Sequence, residues 1–348
     1  MQSRPSSFAC SWSGARPVTC RLGSGLLESG DKDCGCPARG RAVRGRFYTL
    51  ASIPPSGGVV KIVAGSASAP LGRELAKALR ADFVETAYEK HPGGFPDGER
   101  YVRVTGALEG EHAVVVQTTH PDPMIVELLL LLDAVRSLAP SKVSLVVPYY
   151  GYGRQDKRFE PGEALSGQAL AKHLQEGVDA FYTMALHHPR ILESFDIPAR
   201  EVSGMPAVGR YLKDRDIDFV LAPDDGAIRH AKEVAESAGK PWDYLEKTRI
   251  DSYTVKFEAK RLDVKGRRVA IVDDVISTGG TVALAAKELK AQGARHVLAA
   301  AVHGLFAGKA WDNLAVCDEV AASDTIPSRA TRFSVAPEFA AALRTAQG

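Results

Sequence analysis

The segment that decides the fold is VAIVDDVISTGGTVALAAKELKAQGA, which runs from Val269 to Ala294. It opens with an apolar run typical of a buried strand, continues with Asp273 and Asp274, and passes through a small polar loop into a helical pattern. We expect the strand to end just before the two acids and the helix to begin near Thr281. The acids and the loop would then lie at the carboxyl end of a strand, where open parallel sheets bind their ligands.

The loop after the acids has the chemistry of a phosphate-binding site. Gly279 and Gly280 let the backbone come close to a ligand, and Ser277, Thr278 and Thr281 carry hydroxyl donors. The first amides of the following helix are unpaired and carry partial positive charge, so they attract an anion. The Gly-Lys-Ser/Thr sequence of a nucleoside triphosphate P-loop is absent here, so the loop is better suited to a simpler phosphate.

The two acids before the loop must serve a different group, because carboxylates repel phosphate. A carboxylate has only acceptor atoms, whereas neighbouring sugar hydroxyls have donors to offer. Asp273 and Asp274 are therefore suited to a sugar diol, and the whole segment indicates a ligand such as ribose 5-phosphate. The alternative is a strand end with ordinary helix-capping residues.

Strand-like and helical segments alternate from residue 59 onward. VVKIVAG, HAVVVQTT, KVSLVVPYY and AFYTMAL have the composition of buried strands, as do DFVLAPD, RRVAIVDD and HVLAAAVHG further along. Helical patterns such as PMIVELLLLLDAVRSLA and GAIRHAKEVAESAG lie between them. The alternation predicts an α/β protein with two domains, residues 58–202 and 203–348, each a mostly parallel sheet flanked by helices.

Residues 1–57 differ from the rest of the chain. They are rich in Arg, Ser and Gly, show no hydrophobic periodicity, and contain four of the five cysteines at spacings unlike those of a zinc site. We expect a disordered or targeting tail on a cytoplasmic protein. An organellar transit peptide or sequence upstream of the true start would give the same composition.

Composition argues against two classes of partner. The formal net charge of +2 in 348 residues gives no broad basic surface for nucleic acid. The most apolar stretch, MIVELLLLLDAV, is too short for a membrane span and is interrupted by Glu127. We therefore expect neither nucleic acid nor membrane as a partner.

The opening segment resembles the phosphoribosyl diphosphate (PRPP) motif that type I phosphoribosyltransferases share with PRPP synthetases. The resemblance implies a type I phosphoribosyltransferase fold for both domains. It also implies that Asp273 to Thr281 hold ribose 5-phosphate. By itself this motif does not separate enzymes that make PRPP from enzymes that consume it.

FPDGERYVRV, Phe95 to Val104, resembles a PRPP synthetase segment that reaches the ATP site of a neighbouring subunit. The resemblance implies that Phe95 packs on adenine and that Asp97 and Glu99 accept hydrogen bonds from its amino edge. It therefore implies a homo-oligomer, at least a dimer, with a shared ATP site. Without the resemblance, a hairpin with Asp-Gly at its bend explains this segment equally well.

VVPYYGYGRQDKRFEPGEALS, Val146 to Ser166, resembles the ATP-contact stretch of the same synthetases. The resemblance assigns Arg154, Gln155 and Asp156 to ATP. An arginine can bind phosphate oxygens through two parallel hydrogen bonds. The alternative is a solvated, charged loop.

Two further segments resemble the metal and pyrophosphate sites of the synthetases. MALHHPRILESFDIPA places His187 at the position of a Mg²⁺ ligand, with Ala185 where the family usually has an acid. From the residues alone, His187 and the histidine that follows it are better explained as a loop pair, because Mg²⁺ prefers oxygen ligands.

VLAPDDGAIRHA resembles the pyrophosphate loop, Asp224, Asp225 and Gly226. The resemblance makes Asp224 a second Mg²⁺ ligand. The glycine allows backbone amides to face phosphate ahead of the next helix.

DYLEKTRIDSYTV resembles the catalytic loop of synthetases, most closely those of archaeal type, with Lys247 and Arg249 as its catalytic cations. Residues two apart in an extended chain project to the same side, so both charges can serve one target. An edge strand protected by cations is the alternative.

The resemblance covers about residues 60–340 and implies a ribose-phosphate diphosphokinase, which makes PRPP and AMP from ATP and ribose 5-phosphate with Mg²⁺. A phosphoribosyltransferase that consumes PRPP is one alternative, although it leaves the ATP-like segments unused. A non-catalytic, synthetase-like regulatory subunit is another.

Overall fold

The computed structural model describes residues 59–89, 95–155, 157–245 and 262–345, together with the backbone of 247–249 and 255–257. The expected tail and Asp156 lie outside the described residues, as do the side chains of Lys247 and Arg249. Within the described part, none of the helices combines the length and the apolar character needed to cross a membrane.

The strands and helices that the sequence predicts are present in the predicted order, and further elements lie between and after them. The strands are Val60–Ala64 (β1), Asp82–Val84 (β2), Thr86–Ala87 (β3), Arg103–Val104 (β4), His112–Val116 (β5), Lys142–Val147 (β6), Ala180–Met184 (β7), Ala199–Val202 (β8), Phe219–Ala222 (β9), Trp242–Tyr244 (β10), Lys247–Arg249 (β11), Val255–Phe257 (β12), Arg268–Ile276 (β13), His296–Gly304 (β14), Glu319–Ser323 (β15) and Thr331–Phe333 (β16). The α-helices are Ala69–Leu79 (α1), Pro123–Ser137 (α2), Ser166–Leu174 (α3), Met205–Lys213 (α4), Ile228–Ala238 (α5), Gly280–Ala291 (α6), Ala310–Leu314 (α7) and Ala336–Thr345 (α8). Short 3₁₀ turns cover Ser66–Ser68, Pro189–Ser194 and Asp225–Ala227.

The main strands form two six-stranded sheets with the same topology. The first has the order β2-β1-β5-β6-β7-β8, and the second has the order β10-β9-β13-β14-β15-β16. Every pairing in both sheets is parallel. The two-domain α/β prediction is therefore confirmed as a fold class. In each sheet the strand order reverses beside its first strand, which places a ligand crevice between β1 and β5 and another between β9 and β13.

Burial on both faces explains why the central strands are continuously apolar. All five residues of β7 are buried, as are Val297 to Gly304 of β14. The helices cover these faces with one apolar stripe each. On α5 the buried residues are Ala231, Val234, Ala235 and Ala238, at the spacing of a single helical face.

One apolar core joins the two sheets. It runs from Val114 in the first sheet through Met184 and Met205 to Val272 and Val302 in the second. The chain crosses between the sheets after β8 and enters α4 through Gly204. The two halves therefore share their packing instead of meeting through polar loops.

The prediction for the end of the strand at the acids was wrong. β13 continues through Asp273 and Asp274 to Ile276, because its neighbour β14 extends equally far and pairs Ile276 with Gly304. The acids therefore lie inside the strand, and only the loop from Ser277 follows it.

Gly204 provides a test of the shared core. Its φ of −92° is open to any residue, but a Cβ there would lie 2.6 Å from Val302 Cγ1 and 2.8 Å from Met184 Sδ. We expect Gly204→Val to lower the free energy of unfolding by about 1–3 kcal/mol through overpacking, and Gly204→Ala to lower it by less.

Urea unfolding measures both values. Ala341→Val, on the exposed side of α8, is the matched control and should change stability by no more than about 0.5 kcal/mol. Wild-type stability in Gly204→Val would contradict this description of the interface.

Candidate functional site

Hydrogen bonds from neighbouring segments fix the shape of the loop after β13. The carbonyl of Ile276 accepts from the amides of Leu305 and Phe306 at 3.0 and 3.2 Å. The carbonyl of Ser277 accepts from the amide of Ala307, and Asn313 Nδ2 donates to the carbonyl of Thr278 at 2.8 Å. Contacts within the protein therefore define the shape of the loop.

Gly279 is required in this loop for two reasons. Its φ is +72°, in the left-handed region that favours glycine, and a Cβ would lie 2.9 Å from Leu314 Cγ. The helix α6 begins at the next residue, Gly280, close to the predicted start, and directs its unpaired amides toward the loop.

The hydroxyls of Ser277, Thr278 and Thr281 make no side-chain hydrogen bond within the described parts of the chain. They are therefore available to a ligand. Together with the helix amides, they form a cradle suited to a phosphate group.

The acid pair on β13 is electrostatically strained. Asp273 accepts a hydrogen bond from the amide of Asp274 at 2.9 Å, and Asp274 accepts one from the amide of Val275 at 2.8 Å. Burial, followed by the charge of Asp274, raises the pKa of Asp273 well above its ordinary value of 3.8. Within the described residues, neither acid has an ion pair with a cation.

The predicted pyrophosphate loop lies beside the acid pair. It follows β9, which pairs directly with β13, so the two carboxyl ends are neighbours at the crevice of the second sheet. Asp224 accepts from the amide of Gly226 at 3.1 Å and caps the turn that contains Asp225. The charge of Asp224 contributes to the raised pKa of Asp273, which places the two loops within electrostatic reach.

The predicted ATP-side residue Arg154 faces the same region. Burial raises the pKa of the nearby Tyr149, while the charge of Arg154 lowers that pKa and the charge of Asp274 raises it further. A small cavity is lined by Tyr149, Arg154, His187 and Val275, among others. The structure therefore brings one predicted ATP-side residue and the predicted metal ligand next to the strand of the acids.

His187 reaches this cavity because the chain turns sharply after β7. Ala185 has a φ of +43°, unusual for a residue other than glycine, and the amide of Leu186 donates to Glu201 at 2.8 Å. His187 is exposed beyond this turn, with its ring centroid 4.6 Å from that of His188.

The segment that contains Phe95, Asp97 and Glu99 lies apart from these cavities. Asp97 accepts from the amide of Glu99 at 3.1 Å in an exposed turn. The next residue, Arg100, forms an ion pair at 3.5 Å with Glu127, a fully buried acid on α2. The base of the segment is thus anchored, while its tip lies in solvent away from the described cavities of its own chain.

The remaining predicted site residues are placed only in part. Gln155 follows Arg154 and is half-buried, whereas Asp156 lies outside the described residues. β11 and β12 form an antiparallel pair in which Lys247 stands opposite Phe257 and Arg249 opposite Val255.

Sequence reasoning assigned no role to two histidines near the site. His303 on β14 is fully buried, with its ring nitrogens 2.9 Å from Thr325 Oγ1 and 3.1 Å from the carbonyl of Met184. Burial lowers its pKa to about 4, so the ring is neutral and links β14 to the end of β7. The other, His230 on α5, lies near Asp273 and Asp274. Both lie in segments that resemble the synthetases, His303 at the start of HGLFAGKAWDNL and His230 within VLAPDDGAIRHA, but the residues alone indicate no role for either side chain.

Two protein-family models match this chain, one in each domain. Residues 60–177 match the family model described as the N-terminal domain of ribose phosphate pyrophosphokinase. Residues 199–323 match the phosphoribosyl transferase domain. The chain belongs to the ribose-phosphate pyrophosphokinase family.

Individual relatives of the pyrophosphokinase family match nearly their whole length. A ribose-phosphate pyrophosphokinase of Methanopyrus kandleri is 40% identical over 294 residues, which cover 82% of this chain and 99% of the relative. One from Thermococcus kodakarensis is 43% identical over 249 residues, 70% of this chain and 88% of the relative. The crystal structure of phosphoribosylpyrophosphate synthetase from Mycobacterium smegmatis superposes with a TM-score of 0.66 at 29% identity, covering 83% of this chain and 98% of that one.

The raised pKa of Asp273 leads to a stability prediction. The folded chain binds the Asp273 proton more tightly than the unfolded chain does, so stability falls as pH rises from about 3.8 through the raised pKa. Asp273→Asn removes the charge and should raise the Tm of the ligand-free protein at about pH 8. Each unit of pKa shift corresponds to about 1.4 kcal/mol, and each kcal/mol to roughly 2–4 °C.

Calorimetry in chelator-treated buffer measures this difference in Tm, which should shrink toward zero as the pH falls below about 3.8, where Asp273 becomes protonated in both states. Asp82→Asn, at an exposed position, is the control and should have little effect. A lower Tm for Asp273→Asn at about pH 8 would show that the acid is stabilising.

Proposed function

We propose that the protein transfers the diphosphoryl group of ATP to the C1 hydroxyl of ribose 5-phosphate, giving PRPP and AMP. The observation that carries the proposal is the placement of Arg154 and His187 beside the strand of the acid pair. A single cleft can then hold a nucleotide from the first domain next to a sugar phosphate in the second.

The ribose 5-phosphate would bind with its phosphate in the loop from Ser277 to Thr281. Its ring hydroxyls would then donate to Asp273 and Asp274. The carbonyl hydrogen bonds that hold the loop support this assignment, because a preformed site does not have to be ordered by the ligand. The C1 hydroxyl is thereby directed toward the pyrophosphate loop at Asp224.

The ATP would contact Arg154, Gln155 and Asp156, with its diphosphate toward Asp224, Asp225 and Gly226. Phe95, Asp97 and Glu99 would come from a second copy of the chain. In support of this, the segment lies on an anchored base but away from the described cavities of its own subunit. The proposed active unit is therefore at least a homodimer.

Magnesium fits the donors at the cleft. Asp224 and the acid pair concentrate negative charge, and carboxylate oxygens are the ligands that Mg²⁺ prefers. Asp224 and His187 are the proposed ligands, with water completing the shell. When bound, the ion neutralises charge on the phosphate oxygens of ATP.

Lys247 and Arg249 on β11 are the proposed catalytic cations. The transferred group gains charge on its oxygens as the bond to AMP breaks, and a positioned cation stabilises that charge. Catalysis of this kind depends on holding the two substrates in line more than on covalent chemistry.

The direct test is to incubate the purified full chain with ATP, Mg²⁺ and ribose 5-phosphate. We expect AMP and PRPP to appear in equal amounts, with no AMP when ribose 5-phosphate is left out. Production of ADP, or loss of PRPP only when a nucleobase is added, would reject the proposal. The latter result would identify a phosphoribosyltransferase.

Substitution of the proposed catalytic cations should reduce turnover much more than binding. Lys247→Ala and Arg249→Ala are each expected to lower kcat by about 10²–10³, equivalent to roughly 3–4 kcal/mol, with a modest change in KM for ATP. Steady-state kinetics measure both constants.

Lys256→Ala is the matched control for these substitutions. Lys256 is on the same strand pair, but it stands opposite Thr248 and not opposite either proposed cation. We expect its kcat to stay within about twofold of wild type. Near-normal turnover in both Lys247→Ala and Arg249→Ala would refute the assignment.

A further inference from the structure

A buried carboxylate lies at the crevice of the first sheet, far from the acid pair on β13. Glu127 on α2 is fully buried, next to the residues that follow β1 and β5. Its oxygens accept from the amide and hydroxyl of Ser66 at 2.7 and 2.8 Å and from Nε2 of Gln117 at 3.0 Å. These donors are neutral, so the charge of the buried carboxylate also requires a cation nearby.

Arg100 supplies this cation from the surface of the domain. Its Nη1 lies 3.5 Å from Oε2 of Glu127, and its side chain is 40% exposed, so the chain reaches from solvent into the crevice. Removal of one partner of such a pair leaves an uncompensated buried charge, which is strongly unfavourable. The ion pair therefore holds Arg100 at a fixed place above the crevice.

The other arm of the same segment is also fixed at this crevice. Tyr88 donates through its hydroxyl to the carbonyl of Ala64, the last residue of β1. The short strands β3 and β4 pair antiparallel beside it, with Thr86 opposite Val104. Both arms of the segment are thus tied to the first domain, on either side of its tip, residues 95–99.

Contacts within the segment connect the tip to Arg100. The amide of Glu99 donates to Asp97 at 3.1 Å. The ring of Phe95 meets the ring of Tyr101 edge to face, with the centroids 6.0 Å apart. Because Tyr101 directly follows Arg100, the position of Arg100 determines where the ring beneath Phe95 lies.

We propose that Arg100 and Glu127 are positioning residues for the nucleotide site of the partner subunit. Neither side chain touches the nucleotide. The ion pair orients the tip, so that less of the tip has to be ordered when ATP binds. This inference rests on the proposed function, in which the tip contacts ATP bound by a second copy of the chain.

The first test is ATP binding to the full-length protein, measured by calorimetry with Mg²⁺ and without ribose 5-phosphate. Arg100→Met keeps a long side chain and removes the charge. We expect it to raise the Kd for ATP at least about tenfold, because the side chains of the tip must then be ordered on binding.

Steady-state kinetics provide a readout that a general structural defect would not give. In Arg100→Met the KM for ATP should rise at least about tenfold. The KM for ribose 5-phosphate, and kcat at saturating ATP, should stay within about threefold of wild type, because the lost interaction serves nucleotide binding alone.

Three variants control for charge and folding. Arg100→Lys keeps the charge and should lose less ATP affinity than Arg100→Met. Arg103→Met, at an exposed position on β4, is the matched control and should bind ATP as wild type does. Arg100→Met combined with Glu127→Gln leaves no unpaired buried charge, so it serves if the single variant does not fold. Its loss of ATP affinity should equal that of Arg100→Met, since either change breaks the same pair.

Mixed oligomers test whether Arg100 acts on the neighbouring subunit. Two differently tagged chains are co-expressed, and oligomers that contain both are purified. With Lys247→Ala on one chain and Arg100→Met on the other, the unaltered catalytic strand faces an unaltered tip, and the KM for ATP should be near that of wild type. With both changes on one chain and an unaltered partner, the unaltered catalytic strand faces the altered tip, and the KM should stay raised.

Unchanged ATP affinity in folded Arg100→Met or in the double variant would overturn the proposal. An equal loss in Arg103→Met would do the same, as would mixed oligomers whose KM for ATP is the same in both pairings. Wild-type protein that binds ATP but forms no AMP would instead reject the proposed function, while the comparison of ATP affinities would still decide this inference.

Discussion

Close packing at Gly204 is the contact on which the geometry of the site depends. The missing side chain allows Met184, at the end of β7, to approach Val302 on β14. The next residue, His303, then reaches the carbonyl of Met184 from the second sheet. An apolar interface of this kind restricts relative motion of two domains more than a polar one does. The loop after β7 and the strand that carries Asp274 are therefore held as parts of one body.

The acid pair shows how a candidate binding site opposes stability. Two carboxylates in the second half of a central strand repel each other, and the surrounding protein partly removes them from water. The described residues offer them backbone amides but no cation. The two unpaired carboxylates lower the stability of the folded protein. Such a cost is expected where residues are selected to bind a ligand and not to stabilise the fold.

The two domains use one topology for different purposes. In the second sheet the crevice between β9 and β13 is open and holds the acid pair and the capped turn at Asp224. In the first sheet the equivalent crevice is filled. Glu127, fully buried, accepts hydrogen bonds from the amide and hydroxyl of Ser66 at 2.7 and 2.8 Å and from Gln117 at 3.0 Å. The predicted site residues of the first domain, Arg154 and His187, consequently lie after β6 and β7 and not at this crevice. The same fold can thus place functional residues at different strand ends.

The sequence by itself determined the fold class and indicated the glycine-rich turn after β13, because both depend on local sequence patterns. Buried parallel strands must be apolar along their length, and a left-handed turn before a helix requires a residue such as Gly279. Helices α4 and α8 were not singled out in the sequence. α8 lies against α1, which is far away in the chain, and there Arg344 donates to the carbonyl of Ala78. The residue at which β13 ends depends on its pairing with β14, and a local sequence pattern carries no information about a neighbouring strand. Only the tertiary structure decided that Tyr149, His230 and His303 surround the acids, because parallel strands bring together strand ends that are far apart in the chain.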